Sequence, residues 1–319
     1  SRMWDIIQKY KVTIFYTTPT ALRMFMKFGD NLPNSFNLSS LRLLGSVGEP
    51  INPKVWQWYF KIIGKEKCPI IDTWWQTETG GMLISALPGL ETIPLKPGSG
   101  TRPIPGLNIS VVDETGNDVS PNTKGYLIIK NPWPGMLLTL WNDDKKYREV
   151  YWSKYKNHYY PGDYAMKDTD GYLWLLGRAD DVLKVAGHRI GTAELESCIV
   201  SHPDVTESAV CGIPDEIKGD AIIAFVVLKQ NVITDIPILE KELLIKIRSD
   251  IGAIATPKQI YFVTKLPKTR SGKIMRRLLK AIANNETIGD ISTLEDGAAV
   301  TEIQYAFEEL QKSIQKKSN

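Results

Sequence analysis

The chain has 319 residues, enough for one large or two ordinary domains with real cores. Lys and Arg total 39 against 36 Asp and Glu, a net charge of +3 that argues against a dedicated nucleic-acid binder. The three cysteines, Cys68, Cys198 and Cys211, include no close pair, which speaks against a disulfide framework or a zinc site and fits a reducing compartment. The longest apolar run, Ala221–Leu228, has the length of a buried strand and falls far short of a membrane span. No stretch reads as a signal peptide, so a soluble cytoplasmic protein is the default expectation.

In chain order, residues 1–10 read as a helix already under way, with Met3, Trp4, Ile6, Ile7 and Tyr10 apolar. Lys11 to Thr18 reads as a strand, and Pro19 opens a helix reaching about Phe28. Leu41 to Ser46 is a second strand ending in Gly48-Glu49-Pro50. Pro53 opens a helix to about Ile63, and Pro69 to Trp74 is a third strand. Strand, helix, strand, helix, strand predicts a parallel sheet with helices packed on it, whose ligands sit beyond the carboxyl ends of the strands. Gly48-Glu49-Pro50 and Thr73 to Thr79 lie at two such ends.

From about Ser85 the pattern changes to short strands between Pro, Gly and Asn turns: Asn108 to Asp113, Gly125 to Ile129 and Tyr164 to Ala165. Glu114-Thr115-Gly116-Asn117 reads as a hairpin turn, and Trp133, Trp141 and Trp152 read as core. After Asp180 comes a compact α+β pattern. Thr192 is expected to cap a helix over 193–201, with strands near Thr206 to Gly212 and Ala221 to Leu228. A helix over Ile236 to Ile251, a strand over Gln259 to Val263 and a basic helix over Ile274 to Ala283 follow. A last helical stripe runs through Val300, Ile303, Phe307, Leu310 and Ile314.

Between Tyr160 and Gly191 several features exceed what a plain structural segment needs. Pro161-Gly162-Asp163 places a carboxylate after a turn, Gly177-Arg178-Ala179-Asp180-Asp181 sets one Arg and two Asp between apolar runs, and Gly187-His188-Arg189-Ile190-Gly191 sets a second Arg between glycines. Fixed Asp and Arg beside such turns suit sugar hydroxyls and phosphates. Any one of them alone is better read as an ordinary surface ion pair. This stretch, together with Asp72-Thr73-Trp74-Trp75-Gln76-Thr77-Glu78-Thr79-Gly80 and Pro267-Lys268-Thr269-Arg270-Ser271-Gly272-Lys273-Ile274-Met275-Arg276-Arg277, resembles the adenylate-forming enzymes. That superfamily contains acyl-CoA synthetases, luciferases and peptide-synthetase adenylation domains, and the last two strings resemble its acetyl-CoA synthetase branch.

The resemblance implies a mixed α/β and α+β chain. Residues 1–179 would be the C-terminal part of the large adenylation domain, with a sheet-and-helix part over 1–84 and a β subdomain over 85–179. Residues 180–319 would be a small mobile domain. It implies the AMP-forming ligation of acetate to CoA with ATP, through an acetyl-adenylate, and Mg²⁺ as the metal. Gly48, Glu49 and Pro50 would lie along adenine; Asp72, Thr73, Trp74, Trp75, Gln76 and Thr77 would line the nucleotide and acyl site, with Thr77 at the α-phosphate. Trp75 would wall off the acyl pocket, favouring acetate over longer acids, with Val47 beside it. Glu78 would bind Mg²⁺. Asp163 would take both ribose hydroxyls, and Arg178 and Arg189 would face the nucleotide. Asp180 would be the hinge between two domain orientations, and Lys273 the catalytic lysine of adenylation. Ala186, Gly187 and Arg248 would face CoA, although Ala186 stands where relatives often carry a small polar residue. Val200, His202 and Val205 would hold a structural cation through backbone oxygens. Acylation of Lys273 by a lysine acetyltransferase, reversed by a deacetylase, would remove its charge.

Members of the family carry a Gly/Ser/Thr-rich phosphate loop earlier than any residue here, so the expectation is the C-terminal part of a longer enzyme, inactive alone. Rival readings are a ligase for propionate or another short acid, a non-catalytic fragment, and, more distantly, a nucleic-acid module built on Arg270, Lys273, Arg276, Arg277 and Lys280. Whether the protein forms a homo-oligomer is left open by the sequence.

Overall fold

The structure is a computed structural model that describes residues 1–215, 217–229, 235–269, 273–284 and 286. It divides into two compact units, Ser1–Asp180 and Asp181–Asn319. The stripe read over 300–314 and residues Arg270, Ser271 and Gly272 lie outside the described residues.

The first unit opens with α1 (Arg2–Tyr10), β1 (Ile14–Thr17), α2 (Pro19–Lys27), the short α3 (Asn31–Asn34), β2 (Leu43–Ser46), α4 (Pro53–Trp58) and β3 (Ile70–Asp72). The strands form a parallel sheet in the order β1-β2-β3, as the alternation of strands and helices requires. Both proline-opened helices are capped. Thr18 Oγ1 accepts from Ala21 N–H at 3.2 Å, and Asn52 Oδ1 accepts from Lys54 N–H at 2.7 Å. Helix α4 continues into a wider turn over Tyr59–Ile63, which buries Tyr59 completely and lets its hydroxyl donate to Phe15 O at 2.7 Å. Trp4, Leu22, Leu44, Tyr59 and Ile63 fill the core between helices and sheet.

The rest of the first unit is an antiparallel meander, β4 (Ile109–Val112), β5 (Lys124–Ile129), β6 (Asp163–Lys167) and β7 (Leu173–Arg178), in sequential order. The turn at residues 114–117 closes through Asp113 N–H donating to Asn117 O at 2.9 Å, and β4 pairs with β5. Helix α5 (Asp144–Tyr151) and strand β7 were not foreseen in the sequence. Trp133 and Trp152 pack against the meander core, but Trp141 is 90% exposed and is not core. Its place on a turn leading into α5 gives its ring nothing to pack on.

The second unit runs β8 (Leu183–Val185), β9 (His188–Ile190), α6 (Thr192–Val200), β10 (Val205–Asp215), β11 (Gly219–Leu228), α7 (Ile236–Asp250), β12 (Gln259–Phe262) and α8 (Arg276–Ala283). Strand β11 is the centre, antiparallel to β10, parallel to β12 and joined to β8 at Gly219–Val185. Its apolar run is continuous because both faces are covered. Ile222, Ala224 and Val226 pack with Leu195 of α6 and Leu239, Leu243 and Ile247 of α7, while Ile223, Phe225 and Val227 pack with Leu279 and Ile282 of α8. Thr192 is the first residue of α6 rather than its cap. The cap position falls to Gly191, which offers no side chain. No helix among the described residues is long and apolar enough to cross a membrane.

Candidate active site

The motif after β3 folds into a tight turn. Gln76 N–H donates to Thr79 Oγ1 at 3.0 Å and Thr79 N–H returns to Gln76 O at 3.1 Å, closing one 3₁₀ turn over Thr77–Thr79. Gly80 follows at φ 67°, and a Cβ there would lie 2.0 Å from Gly135 O, so only glycine lets the turn meet the neighbouring chain.

Asp163, at the start of β6, is the centre on which this turn is hung. Its Oδ2 accepts from Trp74 Nε1 at 3.1 Å and from Gln76 Nε2 at 3.2 Å. The Gln76 amide also donates to Pro161 O at 2.9 Å. Arg178, at the end of β7, donates from Nη1 to Pro161 O at 2.8 Å and lies 3.8 Å from Asp163 Oδ1. Gly162, at φ 81°, gives the guanidinium room to cross: a Cβ there would sit 2.4 Å from Arg178 Nη2. Burial pushes the Asp163 carboxyl up to about 6, with the Arg178 charge and the Trp74 hydrogen bond holding it back. Asp163 thus keeps Oδ1 available beside a cation, an arrangement suited to a diol next to phosphate.

Two tyrosines that no motif or periodicity singles out hold the turn from behind. Tyr151 and Tyr159 stack with centroids 5.3 Å apart and planes 8° from parallel. The Tyr151 hydroxyl donates to the Glu78 carboxylate, and the Tyr159 hydroxyl donates to Gln76 Oε1 at 3.2 Å. Burial and the Glu78 charge push the Tyr151 phenol up to about 12, so it remains a donor at any working pH. Their partners lie 73 and 83 residues away in sequence, a separation no local pattern reveals.

On the sheet side, Tyr16 lies flat over Gly45, where a Cβ would meet its ring at 2.4 Å. Its hydroxyl is 2.6 Å from Thr73 Oγ1 and accepts from Trp75 Nε1 at 3.3 Å. Thr73 is fixed in turn by its N–H and hydroxyl on Ser46 O, at 2.9 and 3.0 Å. Trp75 is therefore anchored by its indole nitrogen while its ring stays 42% exposed, unlike a core tryptophan. Burial pushes Asp72, at the end of β3, up to about 7. The nearby Ser46 hydroxyl relieves some of that penalty, yet no hydrogen bond of good geometry reaches Ser46 Oγ or Asp72 Oδ1. An acceptor of this kind at a strand end fits an amine or hydroxyl donor on a ligand. The Glu49 carboxylate instead accepts from Thr20 N–H at 2.8 Å and pairs with Arg23 at 3.1 Å, so the Gly48-Glu49-Pro50 turn has its backbone, not this side chain, to offer. Thr77 is exposed on the turn.

The second unit distributes its candidates over separate elements. Ala186 and Gly187 form the two-residue turn of the β8–β9 hairpin at φ 47° and 83°, and Arg189 is half-buried on β9. Arg248, exposed in the last turn of α7, donates from Nε to Thr256 Oγ1 at 3.3 Å. Lys273 is exposed at the end of a short hairpin. Asp180 closes the first unit, exposed, with Arg178 Nε at 3.3 Å. Arg276 is committed to Glu196, and Leu278, Leu279 and Ile282 face the core, so α8 offers no unbroken basic stripe to a nucleic acid.

No group of three or more His, Cys, Asp and Glu side chains able to hold a metal ion occurs among the described residues. Mg²⁺ needs no such cage: it keeps several waters and takes one or two carboxylates beside substrate phosphates, a set that Glu78 fits. At the Val200, His202 and Val205 turn, the imidazole is occupied by Glu242 Oε2 at 3.2 Å and by the Asp204 N–H at 3.2 Å. His202 O already accepts from Val205 N–H at 3.2 Å, so a cation there would rest on carbonyl oxygens alone.

Residues 1–141 match the family described as AMP-binding enzyme, and residues 194–273 match the AMP-binding enzyme C-terminal domain. An acetyl-coenzyme A synthetase of Pyrobaculum aerophilum is 58% identical over 309 residues, covering 97% of this chain and 46% of the relative. One from Chlorobaculum tepidum is 54% identical over 296 residues, covering 92% and 44%. The crystal structure of the anthranilate CoA ligase AuaEII in complex with anthranoyl-AMP superposes with a TM-score of 0.78 at 32% identity, over 89% of this chain and 52% of that one. The chain thus spans about half the length of the curated relatives it matches. With both family matches falling in order along a chain of this fold, it belongs to the AMP-binding enzymes.

Proposed function

We propose that this chain is part of an AMP-forming acetate–CoA ligase, which converts ATP, acetate and CoA into acetyl-CoA, AMP and pyrophosphate. The observation that carries the reading is the Gln76–Glu78 turn hung on the Asp163 carboxylate, in a chain 58% identical to an acetyl-coenzyme A synthetase. A carboxylate is a poor electrophile. In the first step an acetate oxygen attacks the α-phosphorus of ATP, the bond from that phosphorus to the α,β-bridging oxygen breaks, and pyrophosphate leaves. In the second, the CoA sulfur attacks the acetyl carbon, AMP departs, and the thiol proton goes to solvent.

The residues divide this work. Asp163 takes the ribose hydroxyls, with Arg178 and Arg189 neutralising phosphate. The Gly48-Glu49-Pro50 backbone and Asp72 face adenine, and Thr77 donates to the α-phosphate. Trp75, with Val47, closes the acyl pocket at the length of acetate. Glu78 would hold Mg²⁺, which would supply positive charge beside the phosphates. Lys273 brings a second charge to the acyl and phosphate oxygens as it builds up in the transition state. Ala186, Gly187 and Arg248 serve CoA, and Asp180 takes up the rotation between the two steps. Acetylation of Lys273 would remove its charge and silence the first step alone.

The test is acetate-dependent ATP–pyrophosphate exchange by the full-length gene product containing these residues, with and without Trp75→Gly. Exchange with acetate, and longer acids gaining on it in the variant, supports the reading. One methylene is worth about 1–3 kcal/mol in such a pocket, so propionate should leak through even in the parent. Longer acids gaining nothing would overturn the pocket assignment and favour a different short acid.

A further inference from the structure

The segment carrying Lys273 is a short hairpin tied at both feet. Lys268 and Ile274 bridge as antiparallel partners, Thr269 N–H donates to Lys273 O at 2.8 Å, and Met275 N–H donates to Pro267 O at 2.8 Å. Lys273 N–H donates to Thr269 Oγ1 at 3.1 Å. The outgoing foot enters α8 at Arg276, three positions beyond Lys273. Arg276 grips Glu196 of α6 with both prongs of its fork, Nε to Oε1 at 2.9 Å and Nη2 to Oε2 at 2.6 Å. Glu196 Oε1 also accepts from Val210 N–H of β10 at 2.9 Å, and the residue is only 8% exposed. At the incoming foot, Lys268 Nζ donates to Glu207 Oε1, also of β10, at 2.8 Å.

This arrangement runs against the cheapest way of building the same helix. Arg276 and Arg277 open α8, the end at which the helix dipole disfavours cations. A buried ion pair is moreover a weak source of stability compared with apolar packing, while it fixes geometry closely. The Lys273 foot is thus fastened by a bidentate charged clamp where a leucine would have served stability as well.

We propose that Glu196 and Arg276 are a positioning pair for Lys273, and that the Lys268–Glu207 pair is a weaker second tie of the same hairpin. The inference rests on the reading of Lys273 as the lysine of adenylation. The pair touches no substrate; it sets where the hairpin delivers the amine.

The experiment uses the full-length gene product and three readings on each variant: acetate-dependent ATP–pyrophosphate exchange, acetyl-CoA formation from supplied acetyl-adenylate, and the melting temperature. Misplacement of a reacting group by about 1 Å costs on the order of 100-fold, so Glu196→Gln and Arg276→Lys should lower kcat for exchange by about 10- to 100-fold. KM for ATP and the rate of the thioester step should stay within about 2-fold, since neither rests on Lys273. Arg276→Lys keeps a cation opposite Glu196 and so guards against loss of folding, and Glu207→Gln should move the same ratio by less. Unchanged exchange in Glu196→Gln and Arg276→Lys overturns the proposal. So does a loss of both half-reactions in step with the melting temperature, which marks a merely structural pair. Lys273→Ala separates the two levels: if it keeps full exchange, the reading of Lys273 itself falls; if it loses exchange while Glu196→Gln does not, only the positioning pair falls.

Discussion

The candidate residues of the first unit and those of the second are held in opposite ways. Around Asp163, the side chains of Trp74, Gln76, Arg178, Tyr159 and, through the stacked rings, Tyr151 and Glu78 are each other's partners. In the second unit, Lys273, Arg248, Ala186 and Gly187 are exposed, on turns or at the end of a helix, with Arg248 held by a single hydrogen bond to Thr256. The first arrangement is preorganised: its side chains fix one another's orientation on folding, which is what the proposed nucleotide site would need. The second trades that for reach, which suits the proposed role of Lys273 in one step of two.

The contrast breaks most sharply at Lys273. Lys273→Ala in the full-length gene product should lower pyrophosphate exchange by about 100- to 1,000-fold, the cost of deleting one charge-stabilising donor. Because the side chain is exposed, stability should change by no more than about 0.5 kcal/mol. A large drop in melting temperature would show that the residue is part of the scaffold after all.

Asp163 tests the opposite arm. Asp163→Asn keeps the shape and an acceptor for Trp74 and Gln76 but loses the charge. Nucleotide affinity measured by calorimetry should fall roughly 10- to 100-fold, the worth of a charge-assisted hydrogen bond or two. In the parent, affinity should weaken as pH drops through about 6, where the carboxyl takes up a proton; in the variant that step should vanish. Stability carries the reverse sign. The folded carboxyl holds its proton up to about 6 and the unfolded one only to 3.8, so stability from this group is present at low pH and lost as pH rises through about 6. Above that pH the variant should melt about 2–4 °C higher than the parent. A variant that melts lower at pH 8 would mean that the Arg178 pairing outweighs burial.

The parallel sheet and its helices are legible because prolines and the alternation of apolar strands with helices mark them locally. Thr18-Pro19 and Asn52-Pro53 each carry both the cap and the first-turn proline. The α/β reading held for the same reason, and the covered strand β11 declared itself by its unbroken apolar run. What composition could not give was side-chain destiny. Composition alone reads Trp141 as core, but a tryptophan on a turn finds no second surface. Helix α5 was missed because it is charged on most sides and is stabilised instead by an Asp143 cap and an Arg148–Asp144 pair four residues apart. At the site, the motif strings drew attention to Gln76, Glu78 and Asp163. Tyr151, Tyr159 and Tyr16 stayed hidden because a hydroxyl that serves a partner dozens of residues away leaves no periodic trace.

Those hidden tyrosines sharpen the comparison at a smaller scale. Tyr151→Phe removes one donor from the Glu78 carboxylate and keeps the stack on Tyr159. It should cost about 1 kcal/mol of stability and raise the Mg²⁺ concentration needed for half-maximal exchange, while the Mg²⁺ dependence of Tyr159→Phe stays close to the parent's. Equal Mg²⁺ responses in the two variants would mean that the rings matter and the hydroxyls do not.

The smallest effect tests whether the exposed second-unit turns carry strain. Ala186 sits at φ 47° in a two-residue hairpin turn, a region that costs an L-residue about 1–2 kcal/mol and glycine almost nothing. Against that, glycine gives the unfolded chain extra freedom, which takes back part of the gain. Ala186→Gly should therefore raise the urea midpoint by the equivalent of about 0.5–1 kcal/mol with an unchanged slope. A lowered midpoint would show that the hydrogen bond from Ala186 N–H to Lys218 O, at 2.7 Å, holds the turn open to alanine without penalty. The turn would then be as preorganised as the Asp163 cluster, and among these second-unit turns only the Lys273 segment would stand apart from it.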